Sequence, residues 1–107
     1  MVEKSIIEAV RLYLDVVRKS GVDLKGAVVF GSHARGEGTP ESDIDLIVIS
    51  PEFDKRRDRR RTAALWRLRA KTDSRIEPVA VGEKQWQEDF GDPLLCAARE
   101  EGEEVTL

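Results

Sequence analysis

The sequence predicts a small α/β or α+β domain in which a mixed β-sheet is flanked by helices. The chain has 107 residues, of which 40% are hydrophobic, enough for one compact core. Amphipathic helical patterns alternate with short apolar runs in the order helix, strand, turn, strand, helix, strand, helix and a short last strand. No internal repeat, linker or low-complexity segment interrupts this order, so we expect a single domain over residues 1–107.

A helix is predicted over residues 5–19 and a strand over residues 24–30. In the first segment, apolar residues recur at helical spacing with charged residues between them, and the pattern ends near Gly21. The second segment closes with the apolar run AVVF and stops at Gly31. This is typical of a largely buried strand.

A second strand, over residues 43–50, is predicted to carry two acidic residues at its beginning. Apart from Asp43 and Asp45, both of its faces are apolar, which indicates burial on both sides. The spacing of i and i+2 directs the two carboxylates to one face of the strand. Because unpaired buried carboxylates are costly, the pair requires a compensating cation.

The second half of the chain is predicted to contain two helices and two strands. A basic helix covers residues 53–71, and a strand follows over residues 75–81, where Pro78 indicates an edge or a bulge. A short helix over residues 93–101 and a last strand over residues 104–107 complete the order.

Charge is distributed unevenly along the chain. The formal net charge of -3 and the pI near 5.3 disfavour a protein that coats nucleic acid, so direct nucleic-acid binding is not expected. Residues 51–71 nevertheless contain nine Lys/Arg against three Asp/Glu, whereas residues 83–104 contain two against eight. Such opposed patches favour a protein partner or a polyanionic ligand.

We expect a cytoplasmic protein that does not contact a membrane. The first residues are not followed by the apolar core of a signal peptide, and no stretch approaches the roughly 18 apolar residues that cross a bilayer. The single cysteine, Cys96, cannot form an internal disulfide and is predicted to be a small buried hydrophobic residue.

The strongest chemical pattern is GSHARG at residues 31–36, followed by SDIDL at residues 42–46. A Gly-Ser turn directly after a strand presents backbone N–H groups that can approach phosphate oxygens. Ser32 and the neighbouring backbone N–H groups are therefore predicted to hold the terminal phosphates of a nucleoside triphosphate, and Arg35 to neutralise charge there.

Paired carboxylates supply the second half of the predicted site. Asp43 and Asp45 can bind one or two divalent cations, while the triphosphate supplies further oxygen ligands. A third carboxylate would activate the attacking hydroxyl, and Glu77 lies on the only other strand that offers one. We predict two Mg²⁺ ions and in-line attack on the α-phosphate, with transfer of a nucleotide and release of pyrophosphate.

Each residue also has a simpler structural interpretation. Aspartates at a strand start often bond turns, and a Gly-Ser pair is often only a turn. Arg35, Glu77 and the basic run at residues 56–61 are all compatible with a solvated surface, and His33 with the start of a turn. The order and spacing of the two motifs together favour the catalytic interpretation.

The motifs GSHARG and SDIDL closely resemble the signature of the DNA polymerase beta-like nucleotidyltransferases, G-S-x-A-R-G then S-D-x-D-L. At this length the chain is similar to the minimal nucleotidyltransferase (MNT) proteins, including antitoxins paired with HEPN-domain toxins. The resemblance is specific over residues 30–49 and implies the palm fold of that superfamily.

The resemblance also implies roles for matching residues. Asp43 and Asp45 would ligate Mg²⁺, and Glu77 would take the place of the third carboxylate, which in the family is more often an aspartate. The predicted nucleotide-binding residues are Gly31, Ser32, Arg35 and Ser42.

The function that follows is Mg²⁺-dependent transfer of AMP from ATP to a hydroxyl of a HEPN-type toxin. By resemblance, the acceptor is a tyrosine, and its modification blocks the toxin's ribonuclease activity. A hetero-oligomer with this partner is an expectation of the sequence analysis. One alternative is a non-catalytic antitoxin that neutralises its partner by contact through the basic helix and the acidic C-terminal part. Another is nucleotidyl transfer to a small molecule or to RNA.

Overall fold

The computed structural model describes residues 1–55 and 59–107, with the side chain of residue 59 left out of the description. The helices are α1 (Lys4–Lys19), α2 (Arg59–Leu68), α3 (Glu83–Glu88) and α4 (Pro93–Glu101), and the strands are β1 (Gly26–Phe30), β2 (Ile44–Ile49), β3 (Ile76–Val81) and β4 (Glu103–Glu104). Two 3-10 helices, Pro51–Asp54 and Arg69–Lys71, flank α2.

The four strands form one mixed sheet in the order β3-β2-β1-β4. β1 is antiparallel to β2 and to β4, whereas β2 is parallel to β3 and is connected to it through α2. The predicted fold class is confirmed. β3 stands at one edge of the sheet, which is where the proline at position 78 is tolerated.

Helices cover both faces of the sheet, so the apolar side chains of β2 are buried on each side. Leu46 and Val48 pack with the α1 and α2 side of the core, whereas Ile47 and Ile49 pack with α4. This alternation confirms the predicted two-faced strand. By the same alternation, Asp45 lies on the face of α4.

Two parts of the chain differ from the prediction. The helix predicted over residues 53–71 is a 3-10 helix, then α2, then a second 3-10 helix, and residues 56–58 lie outside the described part. α3 was not predicted. The amides of its second and third residues, Lys84 and Gln85, donate to the Asp54 carboxylate at 2.8 and 3.1 Å, a cap from 30 and 31 positions away.

Two smaller features also differ. The last strand pairs at Glu103–Glu104 rather than over residues 104–107. Cys96 is half-buried rather than buried, and its Sγ donates to the carbonyl oxygen of Phe90 at 3.2 Å. None of the helices in the described ranges is both long and apolar enough to cross a membrane.

Tyr13 joins α1 to α2 inside the core. Its side chain is fully buried, and its hydroxyl donates to the carbonyl oxygen of Leu65 at 2.7 Å. Tyr13→Phe should lower the free energy of unfolding by about 1 kcal/mol, because this buried hydrogen bond is lost. Urea denaturation measures the change, with Leu12→Ala on the exposed face of α1 as control. Equal stability of Tyr13→Phe and wild type would contradict this role.

Candidate active site

A surface pocket of about 520 Å³ lies where β1 ends, β2 begins and α4 makes its last turn. Its lining residues are Phe30, Gly31, Ser32, Arg35, Ser42, Asp43, Asp45, Ala97 and Glu101. Six of the seven residues predicted for the site thus line one pocket. The seventh, Glu77, lies directly beside Asp45 in the parallel pairing of β2 and β3.

The glycine of the Gly-Ser turn is required by the position of Asp45. Phe30 pairs with Asp45 across the antiparallel strands, so the residue after Phe30 meets the Asp45 side chain. Gly31 has a φ of +74°, and a Cβ at this position would collide with the Asp45 carboxylate. Glycine therefore allows both the turn and the close approach of the carboxylate to the backbone.

The turn after β1 leaves its leading amides outside its own hydrogen bonds. The amides of Ala34 and Arg35 donate to the Gly31 carbonyl oxygen at 3.1 and 3.2 Å, which makes one helical turn. The bonds of this turn begin with Ala34, so the preceding amides of Ser32 and His33 are not used within it. Such leading amides suit an anionic ligand such as a phosphate.

His33 links the two halves of the motif. Its ring is buried, and Nε2 donates to the carbonyl oxygen of Ser42 at 3.3 Å. A Cβ at Gly38 would collide with the ring, so the loop closes tightly over it. The Ser42 hydroxyl accepts from the Thr39 amide at 2.9 Å. His33 and Ser42 thus fix the start of β2, a role that sequence reasoning missed for His33.

The side chains of Asp43, Asp45 and Glu77 repel one another. Burial and the neighbouring Asp43 charge raise the pKa of Asp45, against the lowering effects of His33 and Arg35. Burial also raises the pKa of Glu77, together with the charge of Asp43 and a hydrogen bond to it. Like charges held this closely favour binding of a proton or a cation.

The donor set fits a hard cation. All three groups are carboxylates, the ligand type that Mg²⁺ prefers, and their mutual repulsion would be relieved by positive charge. Within the described ranges, no group of three or more His, Cys, Asp or Glu forms a ready-made metal cage. Binding of Mg²⁺ by Asp43, Asp45 and Glu77 therefore stays a prediction. In it, the nucleotide supplies the further oxygen ligands.

Three residues from other elements complete the surroundings and were not predicted. Ala97 and Glu101 of α4 form a wall of the pocket, and Arg35 Nη1 donates to Glu101 at 3.2 Å. The charge of Arg69 lowers the pKa of Glu77 against the acids around it. Arg35 and Glu101 are 66 positions apart in the sequence, and a local sequence pattern does not predict a contact between residues so far apart.

Comparison with known proteins places this geometry in a family. Residues 10–98 match the model of the nucleotidyltransferase domain. A Methanocaldococcus jannaschii protein named as a putative protein adenylyltransferase is 33% identical over 82 residues, which cover 74% of this chain and 56% of that protein. The chain therefore spans little more than half the length of this relative.

Two crystallographic neighbours share the fold. One chain of a toxin-antitoxin structure with AMP-PNP matches with a TM-score of 0.63 and 20% identity, covering 94% of this chain and 72% of the other. A chain from a complex of a tri-AMPylated Shewanella oneidensis HEPN toxin with an MNT antitoxin matches with a TM-score of 0.57 and 18% identity, covering 92% and 69%. The match over residues 10–98 is the decisive one: this chain belongs to the nucleotidyltransferase domain family.

Proposed function

We propose that this chain transfers AMP from ATP to a tyrosine hydroxyl of a HEPN-type toxin and thereby acts as its antitoxin. The observation that carries the proposal is that Asp43 and Asp45 line the same pocket as the Gly-Ser turn, with Glu77 paired beside Asp45 on β3. A triphosphate site and a carboxylate cluster at one pocket are the two parts that nucleotidyl transfer requires.

The turn and the carboxylates would have different roles in the reaction. Gly31, Ser32 and the amides of the turn would bind the β- and γ-phosphates, with Arg35 adding positive charge. Two Mg²⁺ ions held by Asp43, Asp45 and Glu77 would stabilise the charge on the phosphates and on the attacking oxygen. The hydroxyl oxygen bonds to the α-phosphorus, the bond from that phosphorus to the bridging oxygen breaks, and pyrophosphate leaves.

Glu77 is suited to accept the proton of the attacking hydroxyl. It lies on the outer strand β3, next to Asp45 and on the side of the sheet edge, where a second molecule has access. Its carboxylate would serve as the general base for that hydroxyl.

The identity of donor and acceptor is supported by the relatives. The Methanocaldococcus jannaschii relative is named as a protein adenylyltransferase, and one structural neighbour comes from a complex with AMP-PNP. Another comes from a complex in which a HEPN toxin is tri-AMPylated. Together, these relatives favour ATP as the donor and a toxin side chain as the acceptor.

The test uses a HEPN-type toxin as the acceptor protein. After incubation with ATP and Mg²⁺, its intact mass should increase by AMP, peptide sequencing should place the group on tyrosine, and its ribonuclease activity should fall. If the toxin is neutralised equally without ATP and no AMP is found, contact alone explains the inhibition. Modification of a small molecule or of RNA instead of the protein would also overturn the proposal.

The Mg²⁺ requirement should depend on pH. Because the pKa values of Asp45 and Glu77 are raised, a larger protonated fraction is present at any given acidic pH than in isolated carboxyls. Protons then compete with Mg²⁺ for the same oxygens. We expect the Mg²⁺ concentration for half-maximal transfer to rise as the pH falls, beginning above the ordinary carboxyl range.

Arg69→Gln should move this dependence to higher pH, because the Arg69 charge lowers the pKa of Glu77. Arg11→Gln, on the outer face of α1, is the matched control. A Mg²⁺ requirement that is constant from acidic to neutral pH in all three proteins would contradict the repulsion among the three carboxylates.

A further inference from the structure

A second concave surface, here called the edge groove, follows the open edge of the sheet along β3. It has a volume of about 670 Å³, and its apolar lining consists of Phe53, Ala63, Trp66, Pro78, Val79 and Ala80. β3 is an edge strand, so the groove opens where the sheet ends. It is separate from the pocket that Gly31 and Asp45 line.

An exposed aromatic side chain dominates the edge groove. Trp66 of α2 is 40% exposed, although it lies beside the apolar surface of β3. The Arg69 guanidinium stacks on its ring, 4.6 Å from the centroid, and so holds the indole in one orientation. Fixed and partly exposed tryptophans with neighbouring arginines are the side chains that most often anchor protein partners.

Two cationic side chains lie at the edge groove, Lys55 in its lining and Arg69 on the ring of Trp66. Lys55 is exposed, and within residues 1–55 and 59–107 no ion pair engages its ammonium group. Among the lining residues that the structure describes, the acidic one is Glu52, which is paired with Arg61 at 3.3 Å and accepts from the Asp23 amide at 2.7 Å. The Glu52 charge is therefore already compensated. The charged groups that remain for a partner are those of Lys55 and Arg69.

The two cations stand at opposite ends of the apolar lining. Arg69 Nη1 donates to the carbonyl oxygen of Ile76 at 3.1 Å, at the beginning of β3. Lys55 follows Asp54, which binds the amides of Lys84 and Gln85 beyond the end of β3. An apolar surface between two cations is complementary to an apolar segment with acidic residues on its flanks.

The edge is unsuited to an added strand. Pro78 has no N–H to donate, and the Ile76 carbonyl oxygen is already bonded to Arg69. A bound segment must therefore make its contacts through side chains. An amphipathic helix, whose backbone is satisfied internally, meets this requirement.

We propose that the edge groove binds an amphipathic helix of the protein acceptor, with an apolar stripe on Trp66 and acidic residues beside Lys55 and Arg69. This inference rests on the proposed function for the identity of the partner. Glu77 immediately precedes the groove residues Pro78, Val79 and Ala80 on the same strand. A protein held in the groove therefore lies against the strand that carries Glu77.

The experiment measures binding of the HEPN-type toxin by calorimetry, without ATP, to wild type, Trp66→Ala, Lys55→Glu and Lys55→Arg. The first two variants should weaken affinity by about tenfold or more, and Lys55→Arg should bind as wild type does. Higher salt should weaken wild type more than Lys55→Glu. Leu12→Ala and Arg11→Glu on the exposed face of α1 are matched controls and should bind normally.

Transfer kinetics provide the second readout. Trp66→Ala and Lys55→Glu should raise the KM for the partner while leaving kcat at saturating partner and the KM for ATP unchanged. Unchanged affinity in both groove variants would overturn the docking proposal even if AMP transfer occurs. Weakened affinity in both, with no AMP transfer by wild type, would support the groove and overturn the proposed chemistry instead.

Discussion

Replacing the two aspartates, as Asp43→Asn with Asp45→Asn, should reduce AMP transfer by about a thousandfold or more. The amide groups keep the shape of the carboxylates but remove the negative oxygens that would bind Mg²⁺. Initial rates of labelling of the HEPN-type partner measure the loss. Equal labelling by the variant and wild type would contradict a catalytic role of Asp43 and Asp45.

The same variant should be slightly more stable than wild type at neutral pH without Mg²⁺. Asp45 and Glu77 have raised pKa values, so the folded protein binds protons more tightly than the unfolded chain does. Their contribution to stability is therefore present at low pH and is lost as the pH rises through the raised values. Removing the repulsion should add about 0.5 kcal/mol to the free energy of unfolding. A large destabilisation would instead indicate a structural role.

Gly31→Ala should lower the transfer rate by about a hundredfold, because a displacement of the catalytic group by about 1 Å can cost that much. The added Cβ would collide with the Asp45 carboxylate, which has to move away from the turn. The positive φ of +74° adds backbone strain of about 1 kcal/mol.

Gly36→Ala is the matched control for this change. Gly36 has the same φ of +74°, but a Cβ there meets nothing within 4 Å. Both variants should lose similar stability from backbone strain, whereas only Gly31→Ala should lose most of its activity. If both lose activity equally, the turn acts through backbone strain and not through its contact with Asp45.

The first three strands and α1 were predictable because their signals are local. The apolar alternation of β2 identified its two faces, and the i, i+2 spacing placed Asp43 and Asp45 together at one end of it. The helical spacing of α1 was equally clear. In these segments, the sequence pattern and the final packing agree.

The remaining features depend on distant contacts. α3 has six residues and begins at a cap supplied by Asp54, so its own sequence carries too little signal. Glu101 reaches the pocket only because α4 packs on the face that carries Asp45. The function of His33 follows from its bond to Ser42 and from the contact of Gly38 with its ring, neither of which spacing reveals.

The most direct measurement compares two labelled forms of ATP in the reaction with the HEPN-type partner. With label on the α-phosphate, the partner should become labelled, and unlabelled pyrophosphate should be released in equal amount. With label on the γ-phosphate, the partner should stay unlabelled and the label should appear in pyrophosphate. Label from the γ-phosphate on the partner, or no label from either form, would contradict the assignment of this site to AMP transfer.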